Sequence, residues 1–319
     1  MEIVSTKKQD NVVKRRQDSK KMRAKMWKDR YMYLMILPVV IYYIIFKYLP
    51  MGWLRIAFYD FKILKGIKGS KFVGLKHFKA FINNPDFLKI MWNTLYINIL
   101  SLLFCFTAPI IFALLLNELL GGKFKKTVQT VSYLPHFLSM VVVVGMIKNI
   151  LSPSIGVVNA IRKAFGNEAI YYLGEAKYFR PIMILSGIWQ EMGWGSIIYL
   201  SALSGINTEL YEAAVIDGAG RFQQVWHITI PGILNTIIVM LILRIGSLLS
   251  VGFEKVYLLQ NPHNIAVSEV LSTYVYKMGM VNSNYSLATA VGMFNGIISL
   301  ILVSLANQLS KKYSEISLI

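Results

Sequence analysis

The chain has 319 residues, is 55% hydrophobic with a mean hydropathy of +0.51, and carries a formal net charge of +18. Its apolar residues stand in blocks, which excludes an ordinary soluble domain. Its basic residues flank those blocks, as anionic headgroups and orientation in a bilayer require, which argues against nucleic acid as the partner. A single cysteine, Cys105, leaves no disulfide framework and no thiol pair for redox work.

Residues 1–30 hold eleven Lys/Arg and four Asp/Glu. With so little aliphatic content they cannot build a core, and they read as a disordered or headgroup-bound tail. The tail is too long, and the next segment too poor in small residues, for a cleaved signal peptide. Blocks of roughly 18 or more apolar residues read as spanning helices. The first covers about 31–50, with Pro38 inside it, Tyr31, Tyr33 and Tyr48 suited to the interfaces, and Lys47 able to snorkel. Residues 51–90 form a polar connection with eight Lys/Arg and a turn cluster at Asn83-Asn84-Pro85-Asp86. Further spans are expected at about 91–117, 129–150, 180–204, 232–252 and 286–309. A short basic turn, Gly121 to Lys126, separates the second from the third, and 151–179 is a connection with one short helix near 155–165. Lys311 and Lys312 follow the sixth.

Six spans put both termini on one side. That side carries seventeen Lys/Arg outside the spans against fourteen opposite, a weak positive-inside signal.

Between the fourth and fifth spans lies a long polar interruption. Asn207 and Thr208 offer helix N-caps, followed by Glu209 and Glu212 near the positive helix end. Leu210, Ala213, Ala214 and Ile216 recur at helical spacing. Gly218 and Gly220 break the run, and Phe222, Val225, Trp226 and Ile230 give a second helical pattern that Pro231 closes. The reading is helix, turn, helix.

Glu212-Ala213-Ala214, three residues, Gly218, nine residues, Ile228, one residue and Ile230-Pro231 resemble the EAA loop of ABC importer permeases, EAA-x3-G-x9-I-x-L-P. The one departure is Ile230 where leucine is usual. Phe72 to Phe78 (FVGLKHF), Trp92 to Leu95 (WNTL), Ser132 to Phe137 (SYLPHF) and Trp189 to Leu203 resemble binding-protein-dependent permeases of the carbohydrate, maltose-transporter-like group, LplB type. The resemblance covers roughly 30–312. It implies an all-α membrane protein, the six-helix transmembrane domain of a type I ABC importer in the bacterial cytoplasmic membrane. It also implies a second permease of similar fold, two ATP-binding subunits holding ATP and Mg, an extracytoplasmic solute-binding protein, and an oligosaccharide or polysaccharide as cargo. Since an EAA loop meets its ATPase in the cytoplasm, both termini are expected there. The loop at 207–231 would be the coupling helix. Glu212 would pair with a basic group of the ATPase, Gly218 would supply the turn, and Ala213 and Ala214 would allow close approach. Gly220, Ile228 and Pro231 complete the pattern; Asp217 and Arg221 either serve the same contact or pair locally.

This organisation gives a tail at 1–30, a first helix with its external connection at 31–90, and a five-helix core at 91–312. Polar residues at membrane depth are costly and usually face a bundle interior. Trp189, Gln190, Glu191, Trp194 and Tyr199 are candidate saccharide contacts, since rings stack on aromatic faces and carboxylates accept from hydroxyls; the alternative is that the tryptophans are interfacial belt residues, with Glu191 at the outer mouth or paired with another helix. Arg244 would bind an acidic sugar or pair with Glu191. Asn295, inside Gly292-Met293-Phe294-Asn295-Gly296, is either on the path or in a helix-packing pattern. No G-x4-G-K-[ST], H-E-x-x-H or G-x-S-x-G occurs, and the four histidines are scattered. The chain is therefore expected to hold no cofactor or metal and to be no enzyme, with ATP hydrolysed elsewhere. The alternatives are an ABC importer for an amino acid, peptide or anion, and an ion-coupled secondary transporter, which would usually show inverted repeats.

Overall fold

The computed structural model describes residues 27–119, 121–249 and 252–314; the basic tail lies almost wholly outside them. The chain divides into two compact units, residues 1–55 and 56–319.

The first unit holds α1 (Arg30–Tyr43), a π-helical turn at Ile44–Tyr48 and a further turn at Leu49–Met51. It is apolar round its whole circumference, the mark of a helix surrounded by lipid. Pro38 sits inside α1 without ending it. The apolar helical run extends from Arg30 to Phe58, past the expected 31–50, because Gly52–Phe58 continues it as a tighter 3-10 helix.

In the second unit, a two-stranded antiparallel ribbon pairs β1 (Tyr59–Asp60) with β2 (Lys71–Phe72). The ribbon leads into α2 (Lys76–Ile82). Lys76 bridges to Asp60 at 2.9 Å, and this hydrogen-bonded cation holds the carboxyl below its ordinary value. Ser286 Oγ donates to the Tyr59 carbonyl at 2.6 Å, tying the ribbon to the last helix.

Next come α3 (Phe87–Leu100), a π-helical turn at Ser101–Cys105, and α4 (Thr107–Glu118). They form one apolar run over Phe87–Glu118. The third segment, expected as a single span over 129–150, is instead two helices. These are α5 (Lys123–Tyr133), prolonged by a tight turn at Leu134–Phe137, and α6 (Met140–Ile150), bent 102° to each other. The bend has a local cause. Leu138 and Ser139 are extended, and the Ser139 hydroxyl caps α6 by accepting from the Val142 N–H at 3.4 Å. After α7 (Val157–Ala164), α8 (Ala176–Leu203) runs 28 residues without a break to the segment at 204–232. It packs against α4, α5, the π turn and, further on, α11.

The fifth segment also departs from expectation. Arg221–Gly232 meets α11 (Leu234–Gly246) at 61°, and the helix ends at Gly246 rather than near 252. Helices α12 (Phe253–Leu259), α13 (Ile265–Ser268) and α14 (Leu271–Tyr276) follow, and α15 (Tyr285–Ser314) completes the unit.

Among the described residues, three helical runs are long and apolar enough to cross a membrane, or five if each bent pair is one span. The remaining expected segment, the fourth at 180–204, is α8. Its 28 residues reach about 42 Å at the helical rise, which is ample, but Lys177, Arg180 and Glu191 lower its apolarity.

Three apolar clusters hold the unit together. One joins Ile97, Val144, Phe179 and Val256; another joins Phe81, Ile90, Leu271 and Val291; the third joins Ala113, Tyr199, Leu203 and Ile233. In the third, Leu203 and Ile233 bracket residues 204–232. Buried Asn93 organises the other end. It donates to the carbonyls of Ala266 and Glu269 and accepts from Arg180 at 2.9 Å.

Candidate functional site

Two features stand out, a surface hairpin and an internal cavity. The hairpin begins where Asn207 caps α9 (Thr208–Ile216), its side chain accepting from the Glu209 N–H at 3.0 Å. Gly218 then turns the chain at φ +78°, a conformation costly for any residue with a Cβ. Gly220 does something different. Its backbone is extended, and its N–H donates to Gln223 Oε1 at 2.8 Å at the start of α10 (Arg221–Gln224). A π-helical turn, Val225–Thr229, leads on to Pro231. Tyr211 Oη and buried Thr229 Oγ1, 3.0 Å apart, cross-brace the two arms.

Glu212, Ala213, Asp217, Gly218, Gly220, Arg221 and Pro231 are exposed, while Ala214 and Ile228 are half-buried. Ile216 and Phe222 are 86% and 80% exposed, with Leu210, Val215 and Trp226 also outside. The expected apolar side of the second helix is thus split, since Val225 and Ile230 turn inward. Among the described residues no ion pair joins Asp217 to Arg221 and none involves Glu212, so the local pairing considered from the sequence does not form. A groove of about 270 Å³ runs between the arms, lined by Ala214, Asp217, Gly218, Gln223, His227 and Ile228 among others. The left-handed turn gives a direct expectation. Gly218→Ala should destabilise the hairpin by about 1–2 kcal/mol, read as faster amide exchange over 208–224 with the rest of the chain unchanged.

The cavity, about 500 Å³, lies between α3, the π turn, α4, α8 and α11. Gln190, Glu191, Tyr199 and Arg244 line it; Trp189, Trp194 and Asn295 do not. Trp194 instead stacks on His136 at 4.6 Å and 2°, and His136 Nδ1 meets Glu191 Oε2 at 3.1 Å. The pairing of Arg244 with Glu191 considered above is therefore corrected. Glu191 is held by His136, and Arg244 donates to Ser101 Oγ at 2.7 Å. His136 is brought to Glu191 by the α5–α6 bend. Asn295 sits on α15 with its Oδ1 buried and without a hydrogen-bond partner.

Sequence reasoning missed Lys255, which lines the same cavity from α12 and is only 6% exposed. Counting it among the cations of an external connection hid it. The available signal was a lysine followed directly by the apolar run Val256–Leu259 on a short helix after Gly252.

Residues 105–315 match the family model for the binding-protein-dependent transport system inner membrane component. The chain is similar to the polygalacturonan/rhamnogalacturonan transport system permease protein YteP of Bacillus subtilis (strain 168), with 47% identity over 96% of this chain and 95% of that one. It is also similar to protein LplB of the same organism, with 45% identity over 92% of each. Among solved structures it resembles a chain of a bacterial ABC transporter involved in the import of the acidic polysaccharide alginate. The TM-score there is 0.86, with 41% identity over 92% of this chain and 99% of that chain. A second structure, of the bacterial alginate ABC transporter in complex with an alginate pentasaccharide-bound periplasmic protein, gives 0.85 and 40% over 92% and 98%.

Proposed function

The chain belongs to the family of binding-protein-dependent transport system inner membrane components, and from that premise we propose that it is the permease subunit of an ATP-driven importer of oligosaccharide or polysaccharide. The observation that carries the proposal is the hairpin. It presents apolar side chains, and a Glu212 that makes no ion pair among the described residues, on a brace fastened to the core by Leu203, Ile233 and Thr229. A short amphipathic element of this kind fits a groove on another protein. That protein is one of two ATP-binding subunits, which hold ATP and Mg; their closure moves the hairpin, and through it α8 and α11. The cavity then opens alternately to either side. A second permease supplies the other half of the path, and an extracytoplasmic solute-binding protein delivers the cargo. The hairpin and both termini face the cytoplasm of a bacterial cell.

The relatives reported above are named for polygalacturonan, rhamnogalacturonan and alginate transport, which favours a saccharide over an amino acid, peptide or inorganic anion. The test is uptake into proteoliposomes containing the assembled complex. Saccharide should accumulate only with ATP inside and solute-binding protein outside. Accumulation driven by an ion gradient without ATP would instead identify an ion-coupled transporter.

A further inference from the structure

Among the described residues the charges of the cavity do not balance. Of its lining residues only Glu191, Arg244 and Lys255 are charged, and Glu191 is engaged by His136. Among the described residues neither Arg244 nor Lys255 forms an ion pair. Arg244 has the Ser101 hydroxyl, a neutral partner. Lys255 has the Met183 carbonyl at a long 3.5 Å. Its chain neighbour Glu254 is exposed while Lys255 is buried, so the nearest acid in sequence does not compensate it.

This arrangement is costly. Burying an ammonium without a carboxylate is among the least favourable choices open to a protein. Lys255 also lies in the first turn of α12, where the peptide dipoles oppose a positive charge. Gly187 and Cys105 flank it on the cavity wall: a Cβ on Gly187 would stand 3.1 Å from Cys105 Sγ and, at ordinary contact, 3.9 Å from the Lys255 Nζ. The cavity volume of about 500 Å³ falls in the range of small-molecule sites.

We infer that Lys255 and Arg244 form a carboxylate-reading site on the path, which selects saccharides bearing uronate groups over neutral ones. The inference rests on the saccharide-import reading and deepens it. The carboxylate of the cargo supplies the counter-charge that the protein withholds. The guanidinium takes a planar carboxylate through paired N–H donors, and the ammonium takes it as a point charge. Because the partners belong to the cargo, the site is satisfied only in passage, and a neutral ring leaves both cations unpaired.

The experiment uses the full complex in proteoliposomes and compares a uronate trisaccharide with the neutral trisaccharide made from it by reducing the carboxyl groups. The acid-to-neutral uptake ratio, taken relative to wild type, cancels discrimination contributed by the solute-binding protein. Lys255→Met and Arg244→Gln should each lower that ratio about ten-fold or more, while Lys255→Arg keeps it within about two-fold. Arg244 is exposed to the cavity, so Arg244→Gln carries the test if Lys255→Met fails to assemble. A wild-type ratio in the variants that assemble would overturn the inference and leave the importer reading standing. Wild-type complex that hydrolyses ATP yet imports neither trisaccharide would overturn the reading of the cargo as a saccharide.

Discussion

Gly193→Val is expected to prevent the second unit from packing, and Gly193→Ala to lower its thermal midpoint by several degrees. Gly193 lies on α8 where α5 crosses it. A Cβ there would stand 2.0 Å from the Ser132 carbonyl oxygen and 2.4 Å from its carbon. Those are backbone atoms, with no flexible end to swing aside, so the two helices must separate. Overpacking of this kind costs about 1–3 kcal/mol, and more when backbone must move. The damage would reach the site, since His136 and Trp194 stack just beyond the crossing and fix Glu191. Gly292→Ala is the control. On α15 a Cβ at that position meets nothing within 4 Å, so its melting in detergent should match wild type. Equal midpoints for Gly193→Ala and wild type would refute the packing argument.

Glu212→Lys is expected to leave the permease in the membrane at its normal level and to reduce ATP-driven uptake by roughly 30-fold or more, the scale of a reversed charge at a protein interface. Glu212 is exposed and makes no ion pair within the described residues, so the fold does not depend on it. Its value lies in an external partner. The apolar half of the same surface makes a parallel case, because Phe222 and Trp226 are exposed with their rings 6.5 Å apart. Exposed aromatic residues are enriched at protein interfaces. Full uptake by a normally expressed Glu212→Lys variant would remove the hairpin from the coupling role.

Much of this was legible in the sequence where the cause was local. Asn207 before an apolar repeat is a cap, and Gly218 at a break in that repeat is a turn; both stand where the spacing places them. The apolar runs at Arg30–Phe58, Phe87–Glu118 and Tyr285–Gln308 were equally plain, since span length and hydropathy are properties of a window. What stayed hidden depended on three-dimensional meeting. The 102° bend between α5 and α6 falls inside 129–150, where the apolar run of α6 was read back across Pro135 into the more polar end of α5 as one span. With the bend unseen, His136 was not available as a partner for Glu191, and Arg244 was the economical choice. Lys255 was lost for a related reason. A lysine three residues after the expected end of a span resembles a loop cation, and only the packing of α12 among Ile97, Phe179 and Val270 buries its helix. The flanking tryptophans of α8 misled in the opposite direction, because helical spacing carries Trp189 and Trp194 away from the wall formed by Gln190 and Glu191.

The account turns on one claim, that this permease is driven through its hairpin by a separate ATPase. The direct measurement is affinity purification of the tagged chain from native membranes in mild detergent, with mass spectrometry of its companions, for wild type and Glu212→Lys together. The account predicts an ATP-binding subunit and a second permease with the wild type, and the second permease with the ATP-binding subunit depleted in the variant. A wild-type chain that purifies alone, or only with copies of itself, under conditions that keep other membrane complexes intact, would contradict it.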